Sequence, residues 1–142
     1  MVLNQQQQRI IQVIDSSSSS LFSISHRIHD NPELGYQEKF ASGLLCDTLA
    51  QNGFIVEREY VGIPTAFCAR KGNGKGPRVA FLAEYDALPE LGHGCGHNII
   101  ATSALSAGIG LGAVVDEMDG EVWVVGTPAE ETPGAQPQES QN

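Results

Sequence analysis

In the first part of the chain, apolar residues recur at helical intervals. Ile10, Ile11 and Ile14, then Leu21, Phe22 and Ile28, share one face of a helix predicted over residues 4–29. The serine run Ser16 to Ser20 competes with that reading, because serine hydroxyls offer the backbone alternative hydrogen bonds. It reads either as a low-complexity insert or as the polar face of the helix. Asn31-Pro32 ends the helix, since the residue before proline is disfavoured in the α region. A second helix is predicted over 38–51, with Phe40, Leu44, Leu45 and Leu49 as its apolar stripe and Gly53 just past its end. Cys46 lies beside that stripe and reads as a small core residue.

The period then changes. Residues 54–59 alternate as a half-buried strand, and 65–71 form a second strand. The segment Gly72-Asn73-Gly74-Lys75-Gly76 is a flexible turn suited to a hairpin. A third strand over 78–85 carries the continuous apolar run Val79 to Ala83, the pattern of a central strand covered on both faces. Residues 98–113, rich in alanine and glycine, read as a helix, and 121–126 as a fourth buried strand. Strand, helix and strand in succession make a βαβ unit, so the fold class is α/β. The sheet's second face is left with few helices to cover it. Gly108, Gly110 and Gly112 fall late in the helical segment, where a dinucleotide fingerprint does not belong. No internal repeat is present. Residues 135–142 are polar and patternless and are expected to be a disordered tail behind a domain over 1–134.

At 142 residues the chain is long enough to bury a core. A net charge of −9 with only eight lysines and arginines argues against nucleic acid as a partner. The three cysteines, Cys46, Cys68 and Cys95, are odd in number and widely spaced, a poor disulfide framework, which favours a reducing compartment. No apolar run of membrane-spanning length is expected, and the N-terminus lacks the features of a secretory signal. The expected location is cytoplasmic, with no membrane partner.

Against this background two short segments stand out. Gly92-His93-Gly94-Cys95-Gly96-His97-Asn98 is a glycine-rich loop opening the third helix, and Thr127-Pro128-Ala129-Glu130-Glu131-Thr132-Pro133-Gly134 follows the fourth strand. A thiolate, an imidazole and carboxylates are ligands that a borderline metal such as zinc or manganese accepts. The nearby helix N-terminus is expected to favour the deprotonated Cys95 thiol. Alone, Cys95 and His97 read equally well as an ordinary glycine turn. Glu130 and Glu131 shift that balance, because open α/β sheets build their sites at the carboxyl ends of strands. Adjacent side chains on an extended segment diverge, so one glutamate can bind metal while the other serves as general base. At the end of the third strand, in Glu84-Tyr85-Asp86, Asp86 is placed to orient a ligand imidazole. Glu84 reads either as a further acidic group near the metal or as a solvent-facing strand end. His26 and His29 read as surface residues near a helix end.

The segments Leu82-Ala83-Glu84-Tyr85-Asp86-Ala87-Leu88-Pro89, Gly92 to Asn98 and Pro128 to Ala135, in that order, resemble the M20 metallopeptidases. The nearest branch is the aminoacylase-like one, which includes p-aminobenzoyl-glutamate hydrolases and dipeptidases. The segment His29 to Glu38 is similar to that branch's early His-x-x-Pro-Glu-Leu motif. The resemblance implies a three-layer, aminopeptidase-like α/β domain with a central mixed sheet, of which residues 1–134 form an N-terminal part. It implies two divalent ions, zinc or manganese, with cobalt or nickel as alternatives. It assigns metal binding to Cys95, His97 and Glu131. It makes Glu130 the catalytic glutamate, passing a proton from the attacking water to the leaving amine, and it matches Asp86 to the carboxylate of the strand-end motif. Glu84 stands where the wider family carries a metal-binding histidine. The implied substrates are dipeptides or N-acyl amino acids, and full-length members are expected to be homodimers.

No histidine follows His97. The chain is therefore expected to be a truncated portion of such an enzyme, with weak metal binding and negligible hydrolysis on its own. Two other readings stay open: a non-catalytic fragment that pairs with a full-length subunit, and a hydrolase that uses Cys95 as nucleophile with a nearby histidine as base.

Overall fold

The structure, a computed structural model, describes residues 2–131. The tail expected over 135–142, and Thr132 to Gly134 of the glutamate loop, lie outside the described residues.

Helix α1 spans Gln5–His29 without interruption. Asn4 and Gln7 form a reciprocal capping box that satisfies free amides of the first turn. The serine run lies inside the helix, and Ser16 Oγ turns back to the Val13 carbonyl at 3.0 Å. Leu21, Ile24 and Ile28 are buried on the inner face, which is enough to hold the helix through its polar middle. Helix α2 spans Lys39–Gln51 and buries Leu45, Cys46 and Leu49. Gly53 follows it at φ 80°, a left-handed position that suits glycine. Strands β1 (Ile55–Arg58), β2 (Phe67–Gly72) and β3 (Arg78–Ala83), then helix α3 (His97–Gly112) and strand β4 (Glu121–Gly126), complete the order.

The sheet is mixed and four-stranded, ordered β1-β2-β4-β3. β1 pairs with β2 and β2 with β4 antiparallel, whereas β3 and β4 run parallel around α3. The βαβ unit is thus present, but two expectations are corrected. The 72–76 turn does not close a hairpin, because β4 lies between β2 and β3. Nor is β3 a central strand: it lies on the edge, with Val79 41% and Leu82 57% exposed. Local apolarity reports burial only on average; pairing is decided by the crossover. The glycines of the turn instead permit a backbone approach. A Cβ at Gly72 would collide with the Gly120 carbonyl, and one at Gly76 would lie 2.6 Å from the Asp119 carbonyl oxygen.

The core lies between the sheet and α2 and α3, with α1 packed on α3. Along β4, Val122 and Val124 enter this core. Trp123 takes the alternate side, where the guanidinium groups of Arg70 and Arg78 lie 5.3 and 4.4 Å from its ring centroid. The glycines of α3 are packing residues. A Cβ at Gly108 would meet Val124, one at Gly110 would lie 2.8 Å from Ile14 Cδ1, and one at Gly112 would lie 3.0 Å from Phe54. One stretch, His97–Glu117, is long and apolar enough to span a membrane by length and composition, contrary to expectation. Its burial between α1 and the sheet accounts for that apolarity, since a helix covered on several sides is apolar all round.

Candidate metal centre

The loops at the carboxyl ends of β3 and β4 meet the start of α3. The β4 end is pinned to the β3 end by Thr127, whose amide and hydroxyl both donate to the Ala83 carbonyl, at 2.9 and 3.2 Å. The loop after β3 folds back on itself, with Leu88 and Gly92 exchanging backbone hydrogen bonds at 2.8 and 3.1 Å. Gly96, at φ 85°, then turns the chain into α3. The side-chain amide of Asn98 donates to Ser25 Oγ at 3.0 Å and ties that turn to α1.

His97 is the centre of the cluster and is 3% exposed. Its Nδ1 faces Asp86, 2.8 Å from the carboxylate Oδ1 and 3.0 Å from the backbone carbonyl. That pairing puts the proton on Nδ1 and leaves the Nε2 lone pair free. Nε2 looks at three carboxylates: Glu84 at 3.4 Å, Glu130 at 3.6 Å and Glu131 at 3.8 Å. Asp86 holds a second part of the site, because its Oδ2 accepts from the Glu131 amide at 3.0 Å. Ala129, just before the glutamates, is at φ 61°. This uncommon left-handed alanine sets the direction in which Glu130 and Glu131 leave the strand.

Two donor sets have all their ligand atoms within 4.8 Å of one another: Cys95, His97 and Glu131, and Glu84, His97 and Glu130. Metal–ligand bonds of about 2.0–2.3 Å place donors around one ion roughly 3.3–3.8 Å apart, which matches the His97–carboxylate separations. Among the described residues, no lysine or arginine pairs with Glu84, Asp86, Glu130 or Glu131. A cluster of carboxylates around a histidine nitrogen, without a basic side chain to offset it, fits a divalent cation.

The structure therefore brings together all five residues singled out from the sequence, Asp86, Cys95, His97, Glu130 and Glu131, and adds Glu84 to them. The expectation for the thiol is corrected. Burial pushes the Cys95 thiol pKa up; the His97 backbone amide opposes this, but contact with the Glu131 carboxylate raises it further. Burial, with the Glu131 carboxylate added to it, outweighs the helix terminus.

Two residues without an assigned role also border the site. His93 is buried, and neither ring nitrogen has a hydrogen-bond partner among the described residues. Burial, then His29 and His97, lower its pKa and so favour the neutral ring. The His29 ring lies 6.4 Å from it, centroid to centroid. Glu38, at the start of α2, is fully buried and reaches the loop between β4 and the glutamates.

No family model matches the chain. Over 141 residues it is 40% identical to Xaa-Arg dipeptidase of Mus musculus, a match covering 89% of this chain and 32% of that protein. It is 34% identical to a p-aminobenzoyl-glutamate hydrolase chain of Escherichia coli (strain K12), over 83% of this chain and 28% of the relative. Among solved structures, the Bacillus subtilis YXEP protein, described as a dinuclear metal binding peptidase from M20 family, superposes with a TM-score of 0.74 at 25% identity. That match covers 82% of this chain and 36% of the other. Fold and relatives together support an α/β domain of the M20 metallopeptidase class. The chain corresponds to an N-terminal portion of such proteins, spanning about a third of the length of the curated relatives it matches.

Proposed function

We propose that this chain carries part of the metal centre of an amide- or peptide-bond hydrolase whose substrates are dipeptides or N-acyl amino acids. The observation that carries this reading is the imidazole of His97, fixed from behind by Asp86 and facing three carboxylates and a cysteine. The relatives are named an Xaa-Arg dipeptidase and a p-aminobenzoyl-glutamate hydrolase, which supports the substrate class. Cys95, His97 and Glu131 would hold one divalent ion, zinc or manganese by their chemistry. Bound there, the ion would polarise the scissile carbonyl and acidify water. His97 presents a single free lone pair, so Glu84 and Glu130 form an alternative set around the same nitrogen rather than a separate complete site. The second ion of a dinuclear centre, as in the B. subtilis neighbour, would draw on this carboxylate group and on further donors.

Glu130 is the candidate general base. Its side chain is 51% exposed, leaving it open to a water and a substrate amide, whereas Glu131 is tethered through its amide to Asp86. Asp86 holds the imidazole proton at Nδ1 and keeps the ring oriented.

The test is metal titration of the protein beside its Glu130→Gln variant, each assayed against a panel of dipeptides and N-acyl amino acids. Both proteins are expected to bind the ion. Any hydrolysis by the unaltered protein should vanish on chelation and in the variant. Hydrolysis that survives chelation but is lost when Cys95 is alkylated would contradict the proposal and favour a cysteine nucleophile.

A further inference from the structure

Glu38 is the first residue of the α2 region and the last of the early His-x-x-Pro-Glu-Leu segment, far in sequence from the metal-centre residues. Its side chain is fully buried. Burying a carboxylate is costly unless its oxygens are bonded, so its two contacts carry information. Oε1 accepts from the Ala129 amide at 2.8 Å, across 91 positions of sequence. Oε2 accepts from the Thr65 hydroxyl at 2.9 Å. The Thr65 carbonyl accepts in turn from the Tyr85 hydroxyl at 2.6 Å. Thr65 and Tyr85 are also buried. Tyr85 precedes Asp86, and Asp86 accepts from the Glu131 amide. The turn carrying Glu130 is thus held from both sides by carboxylates, Glu38 at Ala129 and Asp86 at Glu131.

The alanine at the first of these supports, at φ 61°, needs one. A non-glycine residue in the left-handed region is disfavoured, because its Cβ crowds the following carbonyl oxygen. A charge-assisted hydrogen bond to a carboxylate is stronger than a neutral one and can offset that strain. Glu33 is different. Its oxygens accept from the Phe40 and Ala41 amides at 2.9 and 3.0 Å, so it caps α2 and does not reach the glutamate turn.

We propose that Glu38 is a positioning residue of the metal centre: its buried carboxylate locks the Ala129 turn and so aims Glu130 and Glu131 at the point where Cys95 and His97 converge. The consequence for metal binding rests on the function proposed above; the locking of the turn does not. Glutamine can replace the contacts, its carbonyl accepting from the Ala129 amide and its NH2 donating to the Thr65 oxygen. Alanine cannot.

The experiment compares the unaltered protein, Glu38→Ala and Glu38→Gln by hydrogen exchange resolved at the Ala129 and Glu131 amides, without metal, and then by cobalt(II) titration followed by absorption. In Glu38→Ala, exchange at Ala129 should accelerate at least about tenfold while far-UV circular dichroism stays native. Its cobalt affinity should fall by about 10–100-fold, as for partners that orient metal ligands elsewhere. Glu38→Gln should restore both. Unchanged exchange in Glu38→Ala, or failure of Glu38→Gln to restore it, overturns the proposal. If Glu38→Ala does not fold, the unaltered protein decides: an Ala129 amide exchanging as fast as unstructured chain overturns it, and a protected one with Glu38→Gln native supports it. If no variant, nor the unaltered protein, binds cobalt, the metal-centre reading fails, while amide exchange still decides whether Glu38 locks the turn.

Discussion

The carboxylate of Asp86 lies 2.8 Å from Nδ1 of His97, and both side chains are buried. The same carboxylate accepts from the Glu131 amide, so one residue orients a ring and anchors a turn. Replacing it should disturb both at once. Asp86→Ala is expected to lower zinc affinity by about 10–100-fold, measured by isothermal titration calorimetry. An affinity equal to that of the unaltered protein would show that His97 is held by something else.

Cys95 offers a pH test. Its thiol pKa is raised, so at neutral pH the sulfur carries its proton and reacts slowly with iodoacetamide. Alkylation of the metal-free protein should accelerate with rising pH, to a midpoint above the ordinary thiol value. An ion bound by the thiolate must displace that proton, so apparent metal affinity should fall as pH falls, and bound zinc should protect Cys95. Alkylation already at its plateau at neutral pH would refute this.

Gly108 lies within α3, where alanine ordinarily stabilises a helix by about 0.5–1 kcal/mol. Here the added methyl would strike Val124, a stiff β-branched neighbour on β4. Gly108→Ala should therefore destabilise the protein by about 1–3 kcal/mol in urea unfolding, the cost of overpacking a filled core. A gain in stability would mean that α3 and the sheet are packed less closely than described.

The helices were the most legible part of the fold. Periodicity and the Asn31-Pro32 stop located α1 and α2, and the polar serine run did not defeat α1 because Leu21, Ile24 and Ile28 anchor it. Strand order was not legible. The run Val79 to Ala83 has the composition of a central strand, yet β4 takes the centre because the crossover through α3 sets it beside β2. The donor residues of the candidate site were readable, because each sits in a short segment of unusual composition, at a strand end or at the opening of α3. Glu38 was not, since its partner Ala129 is an ordinary amide 91 residues away. The thiol shift was also hidden, because it depends first on the burial of Cys95 and then on its contact with Glu131, both of which folding creates.

The most direct measurement is cobalt(II) titration of the protein, followed by absorption, beside Cys95→Ser, His97→Ala, Glu131→Ala and, as a control outside the cluster, His26→Ala. A thiolate-to-cobalt charge-transfer band is expected in the unaltered protein and in His26→Ala. That band should be absent from Cys95→Ser, with affinity at least about tenfold weaker in His97→Ala and Glu131→Ala. No cobalt-dependent absorption in the unaltered protein, or a His97→Ala titration indistinguishable from it, would contradict a metal centre built on His97.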